Sequence, residues 1–294
     1  MSQIKPRVAI ATGDPAGIGP EISSKAARDP RVRRICEPVL VNSRLSPGEI
    51  RVGKIAAAHG RAALEAAEIA IRGALAGEYD AVVAAPHTQA AIDAAGIAFD
   101  GYPSFVARTC GFAPESGILM LCFAWQEREI RIAHVTLHSS VSEAINLTID
   151  KVGRTIRATS DALKKMGIAR PRIAVSGLNP HASGPEEESV IRPAIEGARK
   201  QAIVHGPIGA DTLLQREGYD AYVVMLHDQG HVAAKLLAPN GAAALTIGTP
   251  VLFSSVAHGS ALDIAGKGRA DPTAMVEAIT RLVGQRRRAR ATRR

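Results

Sequence analysis

Aromatic residues are scarce in this chain: five phenylalanines, four tyrosines and one tryptophan make up 3% of 294 residues. So thin a supply leaves no interleaved platform on which nucleic-acid bases could stack. Cysteine is scarcer still. Cys36, Cys110 and Cys122 are odd in number, lack CxxC spacing and lie in apolar or helical surroundings, so reduced thiols rather than a disulfide framework are expected. No apolar run approaches the roughly 18 residues a membrane-crossing helix needs. The first residues, MSQIKPRVAI, run straight into a strand pattern with no apolar signal region, so a cytoplasmic location and no membrane partner are expected. The net charge of +8 is not spread over the body, because six of the 36 basic residues fall in RRRARATRR, 286–294. The remainder is 30 basic against 28 acidic, so no nucleic-acid partner is expected. The tail itself is a like-charge run expected to be disordered.

What the chain does have is alternation. Short β-branched runs separated by longer helical patterns mark an α/β protein with a largely parallel sheet. Strands are predicted at Arg7–Thr12, Pro38–Val41, Ala81–Ala85, Ile118–Phe123, Ile130–Val135, Arg172–Ser176, Ala221–Met225 and Ala243–Ile247. Helices are predicted at Pro20–Arg28, Arg61–Ala76, Tyr102–Thr109, Ser142–Met166, Glu187–Gln201, Gln229–Leu237 and Pro272–Gly284. In the longest of these, Val152, Ile156, Ala162, Leu163 and Met166 recur near helical spacing, as a sheet-packed face requires. Chain crossings at Gly111–Glu115 and Pro239–Gly241 would give one domain from 1–110 plus 242–285, a second from 111–241, and the tail 286–294.

Three histidines follow apolar runs: His138 after IAHVTL, His181 after IAVSGLNP and His227 after DAYVVML. Loops beyond the carboxyl ends of strands are where ligands bind in open α/β sheets. Imidazoles without cysteine would leave open positions on a divalent metal, which suits catalysis. The placement alone allows either a shared metal site or three unrelated loop histidines. Around them lie three further motifs. TGDPAGIGPEI, Thr12–Ile22, is a glycine loop opening a helix, but not the GxGxxG dinucleotide fingerprint, which occurs nowhere in the chain. AHGSALDIAGKGRADP, Ala257–Pro272, could fold over a polar ligand with Asp263 accepting from a ribose diol, or be a long surface connection. MLHDQGHVAAK, Met225–Lys235, places Asp228 beside His227 and Lys235 one helical turn past His231, where a lysine can pair a substrate carboxylate or transfer a proton. Of the other histidines, His59 and His205 are expected to face solvent, His134 to be packed, and His87 to be a candidate for reaching a ligand.

Together these segments resemble the 4-hydroxythreonine-4-phosphate dehydrogenases over essentially the whole chain except the tail. The likeness rests on GDPAGIGPEI, GLNPHASG, GPIGADTLL, MLHDQGH followed by Lys235, and HGSALDIAGKGRAD. GIGPE and HGSALDIAGKGRADP are also similar to segments of the isopropylmalate and isocitrate dehydrogenases, where the second wraps the cofactor's adenosine. The resemblance implies a three-layer αβα fold of that kind, with two domains and an active-site cleft between them. It implies NAD, bound by Gly13, His258, Gly259, Asp263, Ile264 and Asp271, with Asp263 and Ile264 at the adenine ribose and ring. An acidic residue there repels a 2′-phosphate and so favours NAD over NADP. It further implies a divalent metal, zinc foremost, on His138, His181 and His227, and a homodimer, because the family site draws ligands from both subunits.

The chain also departs from that family. Gly101-Tyr102-Pro103-Ser104 stands where the family has Gly-His-Thr-Glu, Phe253 replaces a substrate arginine, and Ala244 replaces an asparagine. A phosphate dianion needs charge-assisted partners, and these changes remove them. A branch carrying the same variant set is the terephthalate dihydrodiol dehydrogenases, which GIAFDGYPS, HVTLHSSV and SSVAHGSALDIAGKGRAD closely resemble. The resemblance implies NAD-dependent, metal-assisted oxidative decarboxylation of a cis-dihydrodiol aromatic carboxylate to protocatechuate, CO2 and NADH. Lys235 and Asp228 are then the catalytic candidates, and Tyr102, Ser104 and Phe253 would shape the ring pocket. The alternative is the parent activity, 4-hydroxythreonine-4-phosphate dehydrogenation in pyridoxal phosphate biosynthesis.

Overall fold

A computed structural model describes residues 5–239 and 241–291, with side chains described through Val283. In chain order the elements are β1 (Arg7–Ala11), α1 (Gly19–Arg28), α2 (Pro30–Ile35), β2 (Glu37–Val41), α3 (Ala57–Leu75), β3 (Ala81–Ala84), α4 (Gln89–Ala94), α5 (Tyr102–Thr109), β4 (Ile118–Trp125) and β5 (Arg128–His134). They continue as α6 (Val141–Ala144), α7 (Ile149–Lys165), β6 (Arg172–Ser176), α8 (Arg192–Ala198), β7 (Ile203–Ile208), α9 (Ala210–Leu213), β8 (Ala221–Val224), α10 (His227–Leu237), β9 (Ala243–Ile247), β10 (Phe253–Val256) and α11 (Thr273–Ala291). The backbone divides into two compact units, Met1–Gly117 with Ala243–Arg287, and Ile118–Ala242 with Arg288–Arg294.

In the first unit the strand order is β2-β1-β3-β10-β9. All neighbours are parallel except β10 and β9. Apart from the outer strand β2, its strands are largely buried on both faces, as in a sheet covered by helices, and β3 reads as a continuous apolar run, Ala81–Ala84. Much of the covering comes from α3, whose Ala63, Ala66, Ala67 and Ala70 are buried. Small side chains let that helix lie close to its neighbours; at Gly60 an added Cβ would fall 2.2 Å from the Ala91 carbonyl oxygen.

In the second unit the order is β4-β5-β8-β6-β7, again parallel apart from one edge pair, β4 with β5. The periodic face of α7 is buried as the spacing predicts, from Val152 and Ile156 to Leu163 and Met166. Each such aliphatic side chain contributes about 1.5–3 kcal/mol relative to exposure.

Several expectations need correction. The helix predicted at Ser142–Met166 is two helices, because Ser140 and Thr148 are separate N-caps whose side chains accept from Glu143 N and Lys151 N. β7 and β10 lay unpredicted, since IVHGPI is interrupted by Gly-Pro and FSSV is short and polar. The arginine-rich tail expected to be disordered is helical through Ala291, and 292–294 lie outside the described residues. Arginine and alanine are strong helix formers, and a single Gly284 costs only about 1 kcal/mol. His59, expected at the surface, is buried, with its ring nitrogens bonded to Arg51 N at 3.2 Å and Lys54 O at 3.0 Å. Among the described residues no helix is long and apolar enough to cross a membrane.

Candidate functional site

The second unit brings the strand-end loops together by topology. β5, β8 and β6 are adjacent and parallel, so the loops bearing His138, His227 and His181 leave the same edge of that unit. His138 and His227 face each other with ring centroids 5.8 Å apart. His227 Nδ1 lies 2.6 Å from Asp228 Oδ1, which leaves Nε2 as the nitrogen free to coordinate. A carboxylate on one ring nitrogen is the usual way to orient a metal-binding imidazole. His181 does not join the pair. It sits exposed on the Asn179–Gly184 turn, and among the described residues no group of three His, Cys, Asp or Glu side chains could hold a metal ion. The donor chemistry and tautomer therefore fit a divalent metal, while one copy brings together only two of the three imidazoles.

Two residues that hold this region escaped the sequence reading. Gln229 accepts from Met225 N at 2.9 Å and Leu226 N at 3.0 Å, and donates to Gly177 O at 3.1 Å, tying the start of α10 to the end of β6. Glu187 is fully buried beneath the His181 turn and accepts from Leu178 N, Asn179 N and Asn179 Nδ2 at 2.7–2.8 Å. Burial alone would raise its carboxyl, but those hydrogen bonds outweigh it and hold it below the ordinary range. The turn they support is strained, with His181 at φ 58° and Ala182 at φ 53°. In the sequence Glu187 is one of three consecutive glutamates, and nothing marks which points inward.

His231 and His134 extend the histidine cluster inward. His231 stacks on His227 at 3.8 Å with planes 8° apart, and His134 packs against His231 at 4.7 Å. Burial pushes His231 down to about 4 and His134 down to about 3, with neighbouring imidazoles adding to both shifts. Asp228 is otherwise exposed, and Lys235 is exposed on the last turn of α10.

In the first unit the two glycine-rich motifs meet although about 240 residues separate them. Ile18 N donates to Ser260 O at 2.9 Å, and a Cβ on Gly17 would fall 2.6 Å from the Ser260 Cβ. Glu21 and Lys25 of α1 bond the far end of the loop through Ala270 N at 2.9 Å, Ala270 O at 2.7 Å and Gly268 O at 3.0 Å. Gly13, at φ 71°, allows a close pass over Pro86, whose carbonyl would lie 2.3 Å from a Cβ. Of the cofactor candidates in this loop, His258, Gly259 and Asp263 are exposed and Ile264 is half-buried. Asp271 has a structural task as well, accepting from Thr273 N at 2.9 Å at the head of α11.

The ring-pocket candidates form an aromatic cluster in the same unit. Tyr102 packs on Phe253 at 5.0 Å, on Phe99 at 5.5 Å and edge-on to His87 at 5.2 Å. Phe253 is fully buried on β10, so it backs Tyr102 and does not itself present a surface to a ligand. The Tyr102 hydroxyl is buried without a hydrogen-bond partner, and burial pushes its pKa up. Ser104 spends its hydroxyl on Asp100, which also pairs with Arg108 at 3.0 Å. His87 is half-buried, its pKa lowered by burial against an opposing pull from Asp14, whose carboxylate is bonded to Thr88 and Ala16 N. Ala244 lies half-buried on β9, and its carbonyl accepts from Ser254 Oγ at 3.3 Å.

Parallel strands with histidine-bearing loops at one edge, and glycine loops interlocked at the head of a helix, define a ligand-binding α/β enzyme scaffold. The family model described as pyridoxal phosphate biosynthetic protein PdxA matches residues 17–282, and the chain belongs to that family. It is 41% identical to a 1,2-dihydroxy-3,5-cyclohexadiene-1,4-dicarboxylate dehydrogenase from Comamonas sp., over 97% of this chain and 99% of that protein. It is similar to the crystal structure of a terephthalate 1,2-cis-dihydrodiol dehydrogenase from Burkholderia xenovorans LB400, with TM-score 0.75 and 40% identity over 95% of this chain and 98% of that one. A 4-hydroxythreonine-4-phosphate dehydrogenase from Burkholderia phymatum superposes with TM-score 0.83 at 30% identity, covering 96% and 99%. Isocitrate dehydrogenase from Methylococcus capsulatus shares the fold at 18% identity, with TM-score 0.53 over 97% and 87%. These relatives are dehydrogenases.

Proposed function

We propose that the protein is an NAD-dependent, metal-assisted dehydrogenase that oxidises and decarboxylates a cis-dihydrodiol of an aromatic dicarboxylate, in the manner of the terephthalate dihydrodiol enzymes it resembles. The observation that carries the substrate class is the α5 region. Tyr102, Ser104 and Phe253 are uncharged, and Arg108, on the helix of Tyr102 and Ser104, is tied to Asp100, so these residues offer no free cation to a phosphate dianion. An uncharged aromatic cluster suits a ring better than it suits a phosphate dianion. Bound NAD+ would supply the hydride acceptor, and a divalent ion, zinc foremost, would supply charge neutralisation for the substrate oxygens, chemistry that would convert a diol dicarboxylate to a catechol carboxylate, CO2 and NADH.

His138 and His227 would supply two metal ligands from one copy. His181 would come from a second copy, a homodimer supported by the pairing of only two imidazoles within one chain. Large apolar side chains exposed just past those histidines, Val141, Ile145 and Ile149 after the first and Val232 and Leu236 after the second, support it too. Asp228 orients His227, and Lys235 is the candidate for pairing a substrate carboxylate or moving its proton. Gly13, His258, Gly259, Asp263, Ile264 and Asp271 would line the nucleotide, with the exposed Asp263 carboxylate available to a ribose diol.

The test is NADH formation at 340 nm across a panel of dihydrodiol carboxylates and 4-phosphohydroxythreonine, with and without chelator. Turnover of a diol that chelator abolishes is expected; turnover of the phosphorylated amino acid alone would establish the parent activity instead. Metal content in His138→Ala, His181→Ala and His227→Ala should fall, and full retention in all three would remove the metal assignment. Deleting 286–294 should leave turnover intact, whereas loss of function would point to a polyanion-binding role for the tail.

A further inference from the structure

We propose that His231 is a positioning residue that fixes the His227 ring for metal binding; the inference rests on reading His227 as a ligand. The two rings, one helical turn apart on α10, are stacked face to face at 3.8 Å and 8°. Such a pair on an exposed helix face would be free to change rotamer. Here the inner ring is not free. Its Nδ1 bonds the His227 carbonyl oxygen at 3.2 Å, and the ring also packs on the buried His134 at 4.7 Å. His134 is itself buried on β5, in a space that exists because residue 230 is glycine: a Cβ there would fall 2.2 Å from His134 Nε2.

The column thus starts in the sheet and ends at the candidate ligand. Two pairs with the same four-residue spacing meet here, His134 at the end of β5 with His138 in the loop beyond it, and His227 with His231 on α10. His231 holds the face of His227 while Asp228 holds its Nδ1 edge at 2.6 Å, and only Nε2 is left over. A ligand fixed on two sides before the metal arrives binds without first paying to order its side chain.

The experiment uses full-length protein stripped with chelator and measures Zn2+ affinity by competition with a chromophoric chelator. The visible spectrum of the Co2+ form and the melting temperature are recorded beside it, for H227A, H231A and H231F. Phenylalanine keeps a flat ring and removes both nitrogens. H231A should lose about 10–100-fold in Zn2+ affinity and shift the Co2+ bands, while H231F stays within about threefold of the parent. If folded H231F loses as much as H231A, a flat ring at this position does not fix His227 and the positioning role is wrong. If both keep parental affinity while H227A loses it, His231 only packs. If H227A also binds normally, the reading of His227 as ligand has failed and the inference falls with it.

Discussion

The loops after β6 and β8 leave neighbouring parallel strands, and each carries one candidate metal-binding histidine, yet they are held in opposite ways. The Asn179–Gly184 turn depends mainly on one buried carboxylate, with Glu186 also accepting from Asn179 Nδ2 at 2.8 Å. Glu187 takes three N–H groups at 2.7–2.8 Å, under a backbone with two consecutive left-handed non-glycine residues. The head of α10 is held by several weaker contacts: the Gln229 amide, the Asp228 carboxylate and the stacked His231 ring. A single anchor gives one well-defined turn at the risk of losing it in one substitution. Distributed contacts spread that risk, and leave the ring aligned by its neighbours.

Glu187→Ala should therefore show the largest effect. It takes the charged acceptor away from the Leu178 and Asn179 backbone N–H groups, each bond worth about 1.5–3 kcal/mol, while Asn179 Nδ2 keeps Glu186; a loss of about 3 kcal/mol or more is expected in urea unfolding. Glu187→Gln should lose less, since the amide keeps one acceptor. A loss below about 1 kcal/mol for the alanine variant would erase the contrast between the loops. Gln229→Ala comes next, at about 1–2 kcal/mol, because its bonds are neutral and the half-buried site admits water. Equal losses from Gln229→Ala and Glu187→Ala would show that charge and burial do not distinguish the two anchors.

How much of this was legible in the sequence follows the same division. Strands with strong periodicity or unbroken apolar runs could be read almost to the residue, as Arg172–Ser176 and Ala243–Ile247 were. The histidines at strand ends could be read as a set because strand ends are where α/β sheets bind ligands. What holds them could not. Glu187 is one of three consecutive glutamates, and His134 and His231 look like an isolated strand residue and an isolated helix residue until β5 and α10 come together. His59 was misjudged for the same reason, since its bonds go to a turn that only the folded backbone creates. Local pattern specifies elements, whereas the anchors depend on contacts between residues far apart in the chain.

His134 and His59 carry the contrast to its smallest effect at neutral pH. Both are 1% exposed, but His59 has close partners for both ring nitrogens, whereas among the described residues His134 has no well-formed hydrogen bond and only looser backbone contacts at Leu119 and Ile132. Burial, reinforced by the neighbouring imidazoles, pushes His134 down to about 3, against 6.5 for the free side chain. A group whose folded pKa is depressed gives its full contribution above 6.5. As pH falls from 6.5 toward about 3, the unfolded chain binds a proton that the folded chain refuses, and stability drops by up to about 1.4 kcal/mol per pH unit. Below that range both states are protonated and the loss stops. His134→Leu removes a poorly satisfied polar ring and keeps an apolar side chain of similar volume, so at pH 7 stability should hold or rise by about 1 kcal/mol. Its acid limb between pH 6.5 and 4 should be flatter than the parent's by up to one proton, read from urea midpoints at half-unit steps. An unchanged slope, with a loss at pH 7, would mean that the imidazole is satisfied in the folded protein and that the two buried histidines are alike after all.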